Sequence, residues 1–409
     1  MNFYFFEKTF SSFKYENFKH FFWGQSVSLA GTWMQQTALS WLIYDITGSK
    51  FYLGLIMALG SLPMLIFSTF GGVIADKYPK KQILIFTQIF SMLFAFILAF
   101  LEMLKLMSIK YIVIITFLAG IAFAIDMPVK QAFFIDMVKK KDLMNAIALN
   151  SSMVNAARMI GPAFAGLIMA NYDIFWCFIL NGLSFLAIIF VLLEMKLPKI
   201  TYKHQKESIL ESMASGFRYV KKNKRILNLI ILLSLIVIFG FSYSILLPAI
   251  AKDIFSTNET GYAMLVTANG LGSLLGALFI AYLGNSPKAK YFVNYGLYLF
   301  CLAIIMLALY KNYWLGFISL TVAGFGIVSY VSVTTTLIQS YTEDAYRGRV
   351  MGIWTLVFGG MLPVGSLLAG ILAQHIGISL TLILNAFVCL LCTVMLSVLS
   401  RPEDQINTF

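Results

Sequence analysis

The chain has 409 residues, 60% of them hydrophobic and 12% charged, with a formal net charge of +12. Soluble domains carry roughly a quarter charged residues, so this composition excludes a water-soluble fold and sets the chain in a bilayer. A positive balance would point to nucleic acid in a soluble protein. Here the cations lie between the apolar runs, so they read as membrane topology and nucleic acid is not an expected partner.

Residues 1–20 place Phe3, Phe6, Phe10 and Phe13 at helical spacing among Lys8, Lys14 and Lys19. That is the pattern of an interfacial helix lying on the membrane, with a frayed tail as the alternative. No cleavable signal peptide is expected, because the first long apolar run is too long and too polar-striped. Twelve apolar runs follow, each of about 20 residues or more and able to cross a bilayer as a helix. The first six lie near 21–45, 51–75, 83–104, 111–137, 145–170 and 174–194. The second six lie near 226–250, 259–284, 291–310, 313–339, 350–374 and 377–399. The expected fold is an all-α membrane protein with two six-helix bundles at 21–195 and 226–400. A linker at 196–225 joins them, and a tail occupies 401–409.

The segments between runs alternate in charge. One side carries Lys77, Lys80 and Lys81, then Lys139, Lys140 and Lys141, the stretch from Lys196 to Arg225, Lys288 and Lys290, and Arg347 and Arg349. The other carries Lys50, Lys105, Lys110, Lys252 and Lys311. The positive-inside rule makes the first side cytoplasmic, together with both termini. In the linker, Ile209, Met213 and Phe217 form a short apolar stripe suited to the membrane face. The halves repeat: Gly72 and Gly276, Gly166 and Gly370, and Asn181 and Asn385 are each 204 positions apart. The words Ala165-Gly-Leu-Ile and Ile179-Leu-Asn return as Ala369-Gly-Ile-Leu and Ile383-Leu-Asn.

The tight polar turn between the second and third runs holds Gly72, Asp76, Lys77, Pro79, Lys80 and Lys81. It resembles the loop between helices two and three of the major facilitator superfamily, Gly-x-x-x-Asp-Lys/Arg-x-Gly-Arg/Lys-Arg/Lys, with Pro79 in place of the second glycine. Further words resemble one branch: Phe22-Trp-Gly-Gln-Ser, Gly31-Thr-Trp33-Met-Gln35, Asp126-Met-Pro128-Val-Lys130-Gln131, Asn155-Ala-Ala-Arg158-Met-Ile-Gly161-Pro162, Leu247-Pro248-Ala and Arg347-Gly-Arg349-Val. These are similar to the enterobactin-exporter-like branch, also called transmembrane secretion effectors, over nearly the whole chain.

The resemblance implies the twelve-helix major facilitator fold in a bacterial inner membrane and export of a small molecule, a siderophore or a drug-like compound. It also implies coupling to protons. The alternative within the superfamily is a lysophospholipid flippase without proton antiport. No enzyme is expected. The chain lacks His-Glu-x-x-His, Gly-x-Ser-x-Gly and a phosphate loop, and His20, His204 and His375 are scattered. No cofactor or metal is expected, and the four cysteines, Cys177, Cys301, Cys389 and Cys392, sit in apolar runs as packing residues. The chain is expected to be a monomer.

Gly72, Asp76, Lys77, Lys80 and Lys81 are the expected conformational gate. The resemblance sets Asp76 against the free N–H groups at the start of helix eleven, near Val350–Gly352, and Asp136 is a candidate partner for the lysines. The plainer reading is topology alone. Ionisable groups deep in a span are costly unless paired or hydrated. Asp126 lies about 20 Å along its helix from Lys139, and Arg158 about 24 Å from Asp142. Similar depths in neighbouring antiparallel spans suggest that they pair, with Lys130 one turn from Asp126. These three residues are the expected proton-coupling group, and a structural lock is the alternative. Thr116 stands where many antiporters of the superfamily place an arginine. Gly161, Pro162 and Pro363 are expected helix bends. Span one carries a polar stripe, Gln25, Ser28, Thr32, Gln36 and Ser40. Trp33, Gln36, Tyr243 and Tyr330 are the expected substrate contacts, against interhelical hydrogen bonding as the simpler role.

Overall fold

In hydrocarbon a single segment satisfies its own backbone only as a helix, so the apolar runs fold as helices. The structure is a computed structural model that describes residues 10–197, 209–284, 286, 289 and 291–399. It describes their side chains apart from 68–77, 140, 209–212, 344–345 and 396–399. The long helices are α1 Glu16–Thr47, α2 Lys50–Lys77, α3 Lys80–Met103, α4 Ile109–Met137, α5 Leu143–Asn171 and α6 Phe175–Glu194. Then come α7 Ile209–Lys222, α8 Lys224–Ile254, α9 Glu259–Leu283, α10 Phe292–Leu309, α11 Tyr313–Tyr341, α12 Asp344–Ile376 and α13 Ile378–Leu399. Eleven of them, α2–α6 and α8–α13, are long and apolar enough to cross a membrane. The 32-residue α1 is the twelfth long helix, and its polar stripe lowers its apolar content.

Two compact units emerge. The first comprises Met1–Ile46 and Leu59–Gln205, and the second Thr47–Ala58 and Lys206–Phe409. The first turns of α2, a helix read in the sequence as part of the bundle at 21–195, group with the second unit. The cause is local. Ser49 Oγ and the Lys50 backbone N–H donate to Gln374 Oε1 at 3.3 and 3.1 Å, and Lys50 Nζ pairs with Asp253 at 2.7 Å. Gly54 meets Gly370 so closely that a Cβ on Gly54 would lie 2.8 Å from the Gly370 Cα.

In the first unit α3 packs along α4 and α6. A core of Phe18, Phe21, Leu84, Phe133, Phe134 and Ile188 ties α1, α3, α4 and α6 together. The expected interfacial helix differs in its described part. Ser11–Lys14 form a 3-10 turn that leads directly into α1. Phe13 packs edge-on against Phe22, with ring centroids 4.9 Å apart. The turn is clasped to the loop before α5. Lys14 pairs with Asp142 at 2.6 Å, Tyr15 donates to the same carboxylate at 2.7 Å, and the buried Ser12 hydroxyl donates to the Asp142 carbonyl at 3.1 Å.

In the second unit α11 packs along α9 and α10, and α10 along α13. Helix α8 contains two π-turns, Ile236–Gly240 and Ile250–Ile254. Such turns insert a residue into the ladder and are frequent at functional sites. The linker stripe expected on the membrane face lies on a helix, with the side chain of Ile209 outside the described residues, and another side of that helix has a partner. Helix α7 lies against α12, with Tyr219 stacked on Tyr346 at 4.3 Å and Gly216 close to Arg349 and Ile353. Val220 is buried there while Phe217 stays exposed.

The repeat is visible in the contacts. Asn181 of α6 donates to Gln35 of α1 at 2.8 Å, and Asn385 of α13 donates to Ser242 of α8 at 2.7 Å. A Cβ on Gly161 would meet Trp33 and Met34 of α1, and one on Gly365 would meet Ile238 of α8. Met34 and Ile238 are themselves 204 positions apart.

Candidate functional site

Counted along the helices, only Asp126, Lys130 and Arg158 among Asp, Glu, Lys, Arg and His lie seven or more residues in from an end. All three belong to the first unit, and they form two groups rather than one.

The first group surrounds Asp126, which is 5% exposed. The apolar surroundings make its charge costly, and three donors offset that cost. Thr87 and Gln88 of α3 donate to Oδ1 at 2.7 and 2.8 Å. Lys130, one turn away on α4, holds Oδ2 at 2.7 Å. Thr87 also lines a groove between α3 and α4 with Phe86, Phe90, Phe94, Leu118 and Ile121. Aromatic and aliphatic walls on that side keep the dielectric around the carboxylate low. The expected Asp126–Arg158 pair is not formed, since Thr87, Gln88 and Lys130 take up the carboxylate. Equal depth did not bring the two together because Asp126 faces α3 and Arg158 faces α1.

Arg158 forms the second group. Its guanidinium lies over the Trp33 ring, 5.0 Å from the centroid, a cation–π contact across α1 and α5. Gly161, one turn beyond, makes this approach possible, because a Cβ there would lie 2.6 Å from the Trp33 Cβ and 2.7 Å from the Ala30 carbonyl. Close approach is thus the role seen for Gly161. Pro162 and Pro363 are buried inside α5 and α12. Along α1 the polar stripe divides. Gln25 and Ser28 are buried, while Thr32 and Gln36 are exposed. On α5, Ser151 and Ser152 are exposed and Asn155 is half-buried.

The two tyrosines expected to touch substrate belong instead to the core of the second unit. The Tyr243 hydroxyl accepts from Asn269 at 2.8 Å, and its ring tilts against Phe300 at 5.6 Å. Tyr330 has no exposed surface and packs against Gly296 of α10. The simpler role, helix packing with interhelical hydrogen bonding, is the one the geometry gives Tyr243.

At the expected gate, Gly72, Asp76 and Lys77 lie in the last turns of α2, and their side chains fall outside the described residues. Pro79 precedes the first helical residue of α3 with φ −59°, a position where its fixed φ and missing N–H cost little. Lys80 pairs with Asp136 at 2.9 Å, the partner read from the sequence. Lys81 donates to the carbonyls of Leu193 and Met195 at the end of α6. Helix α12 begins at Asp344, two turns before the expected Val350–Gly352. Its free N–H groups therefore lie at Asp344–Arg347, and Gly352 is inside the helix.

Sequence reading missed Thr87 and Gln88. Their signal was a pair of adjacent polar residues in the middle of an apolar run. It also missed the Asn181–Gln35 bond, although both residues stood out separately.

A family model described as transmembrane secretion effector matches residues 7–407. The chain is 30% identical to the staphyloferrin A transporter of Staphylococcus aureus (strain NCTC 8325 / PS 47), over 88% of this chain and 90% of that protein. It is 21% identical to macrolide efflux protein A of Streptococcus pyogenes, over 90% and 92% of the two chains. The solved structure of the nucleoside transporter NupG superposes with a TM-score of 0.75, covering 96% of this chain and all of that one at 11% identity, a likeness of fold. The helical architecture, the repeat and the family match agree, and the chain belongs to the transmembrane secretion effector family of the major facilitator superfamily.

Proposed function

We propose that the chain is a secondary active transporter, not an enzyme, that exports a siderophore or drug-like small molecule across the bacterial inner membrane by alternating access and proton antiport. Both termini lie in the cytoplasm, on the side of the lysine-rich loops. The observation that carries this reading is the Asp126 cluster, a buried carboxylate held by Thr87, Gln88 and Lys130 in an otherwise apolar bundle. Thr87 and Gln88 stand on α3 and Asp126 on α4, so a small slide of one helix on the other changes the number of donors. In the proposed cycle the outward-facing state binds the proton at Asp126 and the inward-facing state releases it. Lys130 takes the pairing role that sequence reasoning gave to Arg158, and Arg158 with Trp33 and Gln36 serves the substrate. The Gly72–Lys81 loop acts as the cytoplasmic gate.

The names of the relatives support this reading, because one transports staphyloferrin A and another exports macrolides. A lysophospholipid flippase would need no titrating carboxylate. Purified protein in proteoliposomes separates the two. Substrate accumulation that follows an imposed pH gradient and collapses with a protonophore is expected. Transport of lysophospholipid that ignores the gradient would favour the flippase.

A further inference from the structure

Helix α7 is held where two spanning helices leave the hydrocarbon. It ends at Lys222, and after one further residue α8 begins its span at Lys224. Asn223 makes that junction, its Oδ1 accepting from the Ile226 N–H at 3.3 Å. On another side of α7, Tyr219 stacks on Tyr346 in the first turn of α12, and the Tyr219 hydroxyl accepts from the Glu343 N–H at 3.2 Å. The two anchors set α7 at the level of the bilayer surface, where tyrosine rings are at home.

The exposed side of α7 joins an apolar ring to cations. Phe217 is 46% exposed, and Lys221, one turn further on, is exposed as well. Lys222 and Lys224 are also exposed. From Ser212 to Lys252 the sequence has no Asp or Glu. Glu211, earlier on α7, and Glu343 and Asp344 at the start of α12 stand against five cations between Arg218 and Arg225, so the balance is positive. The arginines have partners. Arg225 lies over the Tyr341 ring at 5.9 Å, Arg349 over Tyr346 at 5.5 Å, and Arg218 Nε donates to the Ala214 carbonyl at 3.4 Å. Lys221, Lys222 and Lys224 make no ion pair or hydrogen bond among the described residues. An ammonium has three donors and suits a phosphate as a point charge. A zwitterionic headgroup brings a cation of its own beside the phosphate, which lysines repel; a headgroup of net negative charge does not.

We infer that α7 is a docking surface for anionic phospholipids of the bilayer. Lys221, Lys222 and Lys224 bind the headgroup phosphates, and Phe217 seats its ring at the acyl boundary, as in an interfacial helix. The inference concerns the surrounding lipid and is independent of the exporter reading.

Native mass spectrometry of the full-length protein, in detergent with equimolar phosphatidylglycerol and phosphatidylcholine, tests it. The wild type should retain phosphatidylglycerol in preference. Each lysine near an anionic surface is worth about fivefold in affinity. Lys221→Gln, Lys222→Gln and Lys224→Gln together should therefore cut the preference by about tenfold or more. Lys19→Gln, Lys139→Gln and Lys141→Gln remove the same charge from exposed positions of the first unit and should leave most of the preference. Gel filtration verifies that both triple variants are folded. Equal retention of the two lipids by the wild type, a preference untouched by the α7 triple, or the same loss in both triples would overturn the inference. So would full displacement of the lipid by equimolar inorganic phosphate, which would assign the lysines to soluble anions.

Discussion

The two units share a plan and differ in how they use polarity. In both, an asparagine of the last helix donates to the first, Asn181 to Gln35 and Asn385 to Ser242. In both, a glycine lets a later helix touch the first, Gly161 at Trp33 and Gly365 at Ile238. The first unit adds Asp126, Lys130 and Arg158 deep in its spans. The second keeps charged residues near its helix ends and fills its interior with neutral groups such as Tyr243, Asn269, Ser242 and Tyr330. It also breaks the α-helical ladder of α8 twice, where α1 runs as one α-helix. The shared contacts are what a helical bundle needs to pack. The differences set the deep ionisable side chains in the first unit, where the proton coupling proposed above is placed.

The largest effects should fall on the shared contacts and be alike in the two units. Gly161→Val and Gly365→Val each drive a Cβ into backbone or side-chain atoms closer than 3.0 Å. Overpacking of this kind costs about 1–3 kcal/mol and occasionally more. Both variants should lose most of their monodisperse yield in detergent, and normal yield of either would break the equivalence. Next come Asn181→Ala and Asn385→Ala. Each removes a buried amide and leaves its partner, half-buried Gln35 or buried Ser242, with one bond fewer, at about 1–3 kcal/mol. The drop in thermal stability should match between the two, whereas a large effect in one unit alone would argue that the repeat is decorative there. A smaller change is expected for Lys50→Ala, which removes the partly exposed ion pair to Asp253 in the second unit. Pairs of this kind contribute about 0–1 kcal/mol, so a shift in melting temperature beyond a few degrees would give the α2–α8 contact a larger role than assigned.

The smallest effect concerns the N-terminal clasp of the first unit. Hydrogen bonds from Lys14 and then Tyr15 hold the Asp142 carboxyl below its ordinary value, and the bond to Asp142 raises Lys14 above its own. A depressed carboxyl contributes stability above its unfolded value of about 4 and loses it as pH falls through the folded value. A raised lysine contributes below its unfolded value and loses that only in strong base. The clasp should therefore be unchanged between about pH 6 and 8. Hydrogen exchange at Ser12–Tyr15 should be equally protected at both ends of that range, once corrected for intrinsic rates, and Asp142→Asn should remove part of the protection. A loss of protection between pH 6 and 8 in the native chain would contradict this.

Much of the fold was legible because a bilayer leaves a long apolar run few alternatives to a helix, and because the positions of Asn181, Asn385, Gly166 and Gly370 betray the repeat. The Asp126–Lys130 pair was legible from its i,i+4 spacing, and Lys80–Asp136 from complementary charges at neighbouring helix ends. The partner of Arg158 was not. Counting residues gives depth along a helix, whereas the direction a side chain faces depends on how the helices are rotated about their axes. The same gap hid the burial of Tyr243 and Tyr330 and the docking of α7 on α12. An apolar stripe such as Met213 and Phe217 is visible in sequence, but the neighbour of the helix, here Tyr346 stacked on Tyr219, is set by tertiary packing.

The central claim is that proton coupling resides in the first unit at Asp126. Inverted membrane vesicles carrying wild type or Asp126→Asn test it, with whichever member of a siderophore and macrolide panel the wild type accumulates. The asparagine keeps the shape and removes the titration. The variant should insert normally and exchange substrate at equal pH on both sides, yet fail to concentrate it under an imposed pH gradient. A folded Asp126→Asn protein that accumulates substrate in step with the gradient, as the wild type does, would contradict the claim.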